Sequence, residues 1–255
     1  MNMHYFLPAG HTQALNCCIH RLSTLGCRIL PEPDEQVTHL LLPVPSFEPD
    51  GSLKGGGVIS DILNALPDSV TVIGGNLTHP ALHGYATIDL LKDPIYLAEN
   101  ANITAHCALK WAMELLPVTL QGCPVLVIGW GRIGKCLAAL LRRLGAHVSV
   151  YARKETDKAM LLALGYDIAD ITPPAYDLMR YRVIFNTAPQ MVLPRDLLKN
   201  CRSECLKIDL ASVSGMEGDD VITARGLPNK DTPESSGELI ARSILRLVAR
   251  KESTL

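Results

Sequence analysis

The chain has 255 residues, 47% of them apolar and 20% charged, and a formal net charge of −2. That length suits two modest domains with separate cores, and that balance excludes intrinsic disorder and provides no basic surface for a nucleic-acid partner. No apolar run approaches the ~20 residues that cross a bilayer. The opening Met1-Asn2-Met3-His4-Tyr5-Phe6-Leu7 has neither a basic n-region nor a long apolar h-region, so no secretion and a cytoplasmic location are expected. The eight cysteines lack a C-x-x-C pair or a nearby histidine cluster, and they read as ordinary thiols with no metal centre.

In chain order, a strand is predicted over 4–7, then a turn at Pro8-Ala9-Gly10, a helix over 12–25 closed by Gly26, and a strand over 27–30. A third strand over 39–42 runs into Pro43-Val44-Pro45-Ser46 and the turn Asp50-Gly51. A helix over 58–66, a strand over 70–73 and a loop Gly74-Gly75-Asn76 follow. Alternation at this spacing predicts a small parallel α/β domain over 1–98. Ligands of such sheets gather beyond the strand C-termini, which here carry Ser46 and Gly74 to Asn76.

Past Glu99 the pattern becomes a long spine helix over 100–116, with Ala105, Ala108, Leu109, Ala112, Leu115 and Leu116 on one stripe. Asn102 or Thr104 would start it and Pro117 stops it. Such a spine places a cleft beside its N-terminal end.

The strongest signal follows. Val125-Leu126-Val127-Ile128 reads as a buried parallel strand and leads directly into Gly129-Trp130-Gly131-Arg132-Ile133-Gly134, a G-x-G-x-x-G turn. Ile133, Leu137, Leu140, Leu141 and Leu144 then recur at helical spacing up to Gly145, and a second strand covers 148–151. Gly129 allows a sharp turn, Gly131 removes the side chain that would block a pyrophosphate, and Gly134 lets helix and strand pack closely. A helix ending at 161–164 and strands over 183–186, 206–210 and 221–224 complete a Rossmann-type doubly wound sheet over 99–234. Its crevice would be lined by Asn186, Thr187, Pro189, Ala211 and Ser212. An amphipathic helix over 235–255 closes the chain and is expected to pack back on the first domain.

The end of the second strand of such a sheet selects the cofactor, because an acid there accepts from a ribose 2′-OH and a cation accommodates a 2′-phosphate. Here the strand ends Tyr151-Ala152-Arg153-Lys154, without an acid. NADP(H) is therefore expected, with Arg153 as the fork and Lys154 in support. The alternative makes both solvated surface charges, with Glu155 close by.

These segments, with Phe185-Asn186-Thr187-Ala188-Pro189, Ile208-Asp209-Leu210-Ala211-Ser212 and Gly226-Leu227-Pro228-Asn229-Lys230, resemble the family of A-type subunits of dipicolinate synthase. Leu42-Pro43-Val44-Pro45 with Asp50-Gly51, and Glu99 through Ala105, match its first half in order. Departures occur where Pro8-Ala9-Gly10-His11-Thr12 replaces a Gly-Gly-Asp-x-Arg segment, and at Asn229, Glu234 and Ser235-Ser236. The N-terminal half also reads as shorter than the resemblance leads one to expect. The resemblance implies NADP-dependent oxidation of a dihydropyridine dicarboxylate to pyridine-2,6-dicarboxylate in sporulation. It further implies a flavoprotein-like B-type subunit of dipicolinate synthase as partner, and a homo-oligomeric assembly.

A planar dianion demands donors near the nicotinamide. Ser46, Asn102, Thr104, Arg132 and Lys230 are the candidates, with His106 as a candidate base. Their structural alternatives are a turn residue for Ser46, a helix cap for Thr104, a pyrophosphate cover for Arg132, a solvated lysine for Lys230 and a hydrogen-bonded histidine for His106. A D-2-hydroxyacid dehydrogenase-like reading competes on layout. It lacks an arginine after the fifth strand of the sheet, and no histidine follows His147. A non-catalytic NADP(H)-binding regulatory or scaffold subunit is the remaining alternative.

Overall fold

The computed structural model describes residues 4–171 and 178–252. The chain divides into two compact units, one of residues 1–100 with 228–255 and one of residues 101–227. Each is built on an all-parallel sheet, so the expected α/β Rossmann-type class holds.

In the first unit the strands are β1 (Tyr5–Pro8), β2 (Arg28–Ile29), β3 (His39–Leu41), β4 (Thr71–Gly74) and β5 (Ala86–Asp89), in spatial order β2-β1-β3-β4-β5. The edge strand β5 is not expected from the sequence. Ala86 and Thr87 are exposed and the run carries little apolar alternation. Helix α1 (Gln13–Thr24) starts on Thr12, whose side chain accepts from the Leu15 N–H, and stops at Gly26 with φ +86°. A short helix α2 (Ile59–Asn64) lies between β3 and β4. Leu40, Val70 and Val72 are fully buried in the core of this unit, each worth roughly 1.5–3 kcal/mol of burial.

The long helix α3 (Pro94–Leu115) begins earlier than the sequence reading places it. Asp93 accepts from the Tyr96 N–H at 2.8 Å and Pro94 takes the first helical position, so Asp-Pro is the start signal and Asn102 and Thr104 lie inside the helix.

The second unit holds β6 (Pro124–Ile128), α4 (Arg132–Arg143), β7 (His147–Tyr151), α5 (Glu155–Ala163), β8 (Asp167–Ile168), β9 (Val183–Asn186), α6 (Arg195–Leu198), β10 (Leu206–Asp209) and β11 (Val221–Thr223). Their order is β11-β10-β9-β6-β7-β8, so the connections leave β6 in one direction and return on its other side at β9. Val125, Val127, Leu137, Leu141, Phe185 and Ile208 are fully buried in one cluster that locks α4 onto the sheet.

Two C-terminal helices, α7 (Leu227–Asp231) and α8 (Pro233–Glu252), follow. The predicted helix over 235–255 thus starts at Pro233, and its residues 253–255 fall outside those described. Helix α8 lies against α1: a Cβ on Gly237 would stand 2.5 Å from the Cys17 Cβ and 2.7 Å from the Cys18 N. Arg242 with Glu99, Arg21 with Glu238, and Arg246 with Asp93 add ion pairs along this helix. Among the described residues no helix is long and apolar enough to cross a membrane, and all eight cysteines are free thiols.

Candidate functional site

The C-terminal ends of β6 and β9 are adjacent, and the strand order reverses between them; a parallel sheet opens a crevice for ligands at such a point. Gly129 follows β6 with φ +100°, and a Cβ there would stand 2.6 Å from Thr187 Oγ1. Thr187 in turn donates to Ile128 O at 2.9 Å, joining the two strand ends. A Cβ on Gly134 would meet Gly129 O at 2.1 Å. These two glycines close the turn upon itself. Gly131 differs: it is the exposed N-cap of α4, and a Cβ on it would meet nothing within 4 Å. The α4 start is thus bare backbone, with no acid in its first turn to oppose an anion.

Arg132 beside it is exposed, and Ile133 is half-buried against the core. Trp130 contributes only backbone to the turn. Its indole is buried edge-on to Tyr166 with ring centroids 5.5 Å apart and Lys135 over its face, so the side chain packs inward and only the backbone of Trp130 is left to face a cofactor. Beyond β7, Arg153 and Lys154 are exposed, while the neighbouring Glu155 pairs with Lys158 at 2.8 Å. A bare helix start with exposed cations nearby in the fold fits a phosphate-rich dinucleotide.

On the other side of β6, Asn186 is fully buried, and its amide is committed within the protein. Nδ2 donates to Asp209 Oδ1 at 2.8 Å and to Ala188 O at 3.1 Å, and Oδ1 accepts from the Ala188 N–H. It supports the Thr187–Pro189 loop instead of facing a ligand, a correction to its expected role. Sequence reasoning missed Asp209 as its partner. This carboxylate, 1% exposed, accepts from Asn186 Nδ2, Ser214 Oγ and the N–H groups of Ala211, Gly215 and Met216. An acid ending a buried strand was the available signal. Ala211 is buried within that loop, whereas Ser212 and Pro189 are exposed.

The expected substrate groups divide between the units: Ser46 and Lys230 belong to the first, and Asn102, Thr104, His106 and Arg132 to the second. Ser46 is fully buried, donates to Pro43 O at 2.8 Å and accepts from the Gly75 N–H at 3.0 Å, so it ties two loops together and has no hydrogen left for a substrate. Lys230 is exposed in α7. The adjacent Asn229 Oδ1 accepts from the Ala14 N–H at the start of α1, which sets this segment at the C-terminal edge of the first sheet. Asn102 and His106 are exposed one turn apart on α3, whereas Thr104 is buried on another face, so the three do not converge.

Residues 89–198 match the family model described as D-isomer specific 2-hydroxyacid dehydrogenase, NAD binding domain, which indicates a nicotinamide dinucleotide and a dehydrogenase-like, NAD(P)-dependent oxidoreductase. No curated protein sequence matches the chain. Among solved structures, a transhydrogenase from Sinorhizobium meliloti is 14% identical, with a TM-score of 0.71 over 96% of this chain and 93% of that one. The A-type chain of dipicolinate synthase from Bacillus subtilis is 20% identical, with a TM-score of 0.84 over 100% and 99%. Its counterpart from Bacillus halodurans, the A-type subunit of dipicolinate synthase, is 23% identical, with a TM-score of 0.84. That alignment covers 98% of the Bacillus halodurans chain, so the N-terminal half is not short relative to it. Over 97% of its length, with its parallel sheets and glycine turn in sequence, this chain has the fold of the A-type subunit of dipicolinate synthase.

Proposed function

We propose that this chain is an NADP-dependent oxidoreductase that converts a dihydropyridine-2,6-dicarboxylate to the aromatic pyridine, the reaction its sequence resemblance implies and one in keeping with structural neighbours named dipicolinate synthase. The observation that carries the reading is the bare start of α4 at Gly131, with Arg153 and Lys154 exposed at the adjacent strand end. With a dinucleotide held there by its phosphates, its nicotinamide would supply an acceptor for the hydride that leaves as the ring becomes aromatic.

The chain's own residues then hold anions and position a ring. Backbone N–H groups of α4, with Arg132, take the pyrophosphate, and Arg153 forks onto the 2′-phosphate with Lys154 beside it. Thr187, Pro189 and Ser212 flank the nicotinamide half, with Asn186 and Asp209 fixing their loops from below. Lys230 is assigned to a substrate carboxylate, and His106, with Asn102 one turn before it, to proton acceptance. Thr104, buried, is assigned no direct contact. A flavoprotein-like B-type partner subunit, a homo-oligomeric state, a cytoplasmic location and a role in sporulation belong to the same reading.

The test is calorimetric titration of the full chain with NADPH and NADH, followed by turnover of freshly generated dihydrodipicolinate with NADP+, with and without a candidate second subunit. NADPH preference that Arg153→Ala reduces by about tenfold to a hundredfold, and growth of pyridine absorbance, are the expected results. Tight NADPH binding with no turnover in either mixture would make the chain a cofactor-binding regulatory or scaffold subunit. No heat with either nucleotide would remove the reading altogether.

A further inference from the structure

The end of β10 carries no arginine of its own, yet one reaches it. Arg225 lies just past β11, and its Nε donates to Ala211 O, in the loop that follows β10, at 3.2 Å. That loop is rigidly held, because Asp209 gathers the N–H groups of Ala211, Gly215 and Met216 and the Ser214 hydroxyl onto one buried carboxylate. The two acids directly before β11 are engaged elsewhere: Asp219 pairs with Arg195 at 2.8 Å and Asp220 with Lys207 at 2.5 Å. Arg225 itself is exposed, and among the described residues it makes no other hydrogen bond or ion pair.

A guanidinium tethered through Nε is restrained while its two terminal nitrogens stay unengaged, and such a pair can grip a carboxylate with two parallel bonds. Its position narrows the ligand. In a sheet of this order, the half running from β6 through β7 takes the adenosine end of a dinucleotide and the half running through β9 and β10 takes the nicotinamide end. Arg153 stands on the first half and Arg225 on the second. A cation at the β11 end lies three strands from β6, where the phosphates would bind, and on the side where a nicotinamide and its substrate would lie.

We propose that Arg225 is a substrate-binding residue that holds one carboxylate of the ring substrate beside the nicotinamide; this rests on the dinucleotide reading above. The Ala211 carbonyl acts as its orienting partner, so the contact is pre-formed before substrate arrives.

The test uses the full chain and the variants Arg225→Ala, Arg225→Gln and Arg225→Lys. NADPH affinity is measured by fluorescence, and affinity for pyridine-2,6-dicarboxylate by calorimetry on NADP+-saturated protein. Expected are NADPH affinities within about twofold of wild type throughout, and a diacid affinity about tenfold to a hundredfold weaker in the Ala and Gln variants. Lys should recover part of the loss, having the charge without the fork. Three results would overturn the assignment: unchanged diacid affinity in Arg225→Ala, parallel loss of both ligands, or NADPH binding by a wild type that ignores the diacid. A wild type that binds neither NADPH nor NADH would instead remove the dinucleotide reading, and the assignment with it.

Discussion

Both sheets end in glycine-bearing loops, but Gly10, Gly55 and Gly74 of the first unit admit the protein's own atoms, whereas Gly131, at the start of α4 in the second, leaves space unfilled. In the first unit a Cβ on Gly10 would meet Lys54 O at 2.4 Å, one on Gly55 the His11 N at 2.1 Å, and one on Gly74 the Ser46 Oγ at 2.3 Å. Those loops are sealed against one another. In the second unit Gly129 and Gly134 seal the turn in the same way, but a Cβ on Gly131 would meet nothing. The absence of a side chain has two uses, close approach by self and close approach by a ligand, and only the surroundings tell them apart.

The widest separation between these uses is expected within the turn itself. Gly134→Ala forces a Cβ into the Gly129 carbonyl and should abolish NADPH binding, beyond about a hundredfold, while lowering stability by a few kcal/mol. Gly131→Ala should leave the melting transition within roughly 1 kcal/mol of wild type and still weaken NADPH by at least about tenfold. Equal effects of both changes on stability would erase the distinction.

Next in size, Gly55→Ala combines a φ of +83° with a backbone clash, and should cost about 2–4 kcal/mol in denaturant unfolding without changing NADPH affinity once folded. If affinity fell in proportion, the sealed loops would belong to the cofactor site after all.

The first unit should also carry an acid-sensitive element. His39, at the start of β3, is 9% exposed, lies 5.0 Å from the Phe6 ring and bonds Thr38 Oγ1 at 2.8 Å. Burial, with smaller contributions from His4 and Lys251, pushes its pKa down from 6.5 to about 4. The unfolded chain therefore binds the extra proton first. Stability from the neutral ring is complete above about pH 6.5, declines as pH falls and is gone near pH 4, a loss on the order of 2–3 kcal/mol. Urea unfolding of His39→Gln between those limits should lack most of that slope.

The smallest expected effect sharpens the role of Ser46. Ser46→Ala leaves the buried Gly75 N–H without its acceptor and should cost about 1–2 kcal/mol of stability. Diacid affinity should not change, and a selective loss of diacid binding would restore Ser46 to the substrate site.

Much of the fold was legible because its signals are local. The apolar strand, glycine turn and amphipathic helix over 125–144 lie within one stretch, and each reinforces the next. Edge strands β5 and β8 were not legible. They are short and half-exposed, so they display no apolar alternation, and they exist because a neighbouring strand offers hydrogen bonds. The start of α3 differs from the expected one because Asn102 and Thr104 are good caps in isolation yet lie inside the helix. Asp93-Pro94 carried the stronger signal, since proline at the first helical position sacrifices no bond.

The candidate site was legible by location more than by role. Residue type and strand end placed Asn186, Ser46 and Trp130 among the contacts, yet each is buried against the protein's own groups. Arg225 has no sequence signal of its own, because its partner, Ala211, lies at a different strand end and no spacing rule links the two.

The sequence by itself determined where a tight glycine turn would form between strand and helix and which residue types stand at each strand end, because backbone conformation and helix periodicity are set by near neighbours along the chain. Only the tertiary structure decided which of those polar groups remain available. A hydrogen-bonding group buried away from water must find a partner. Whether Asn186 or Arg225 is the one left facing outward depends on what the fold brings beside it.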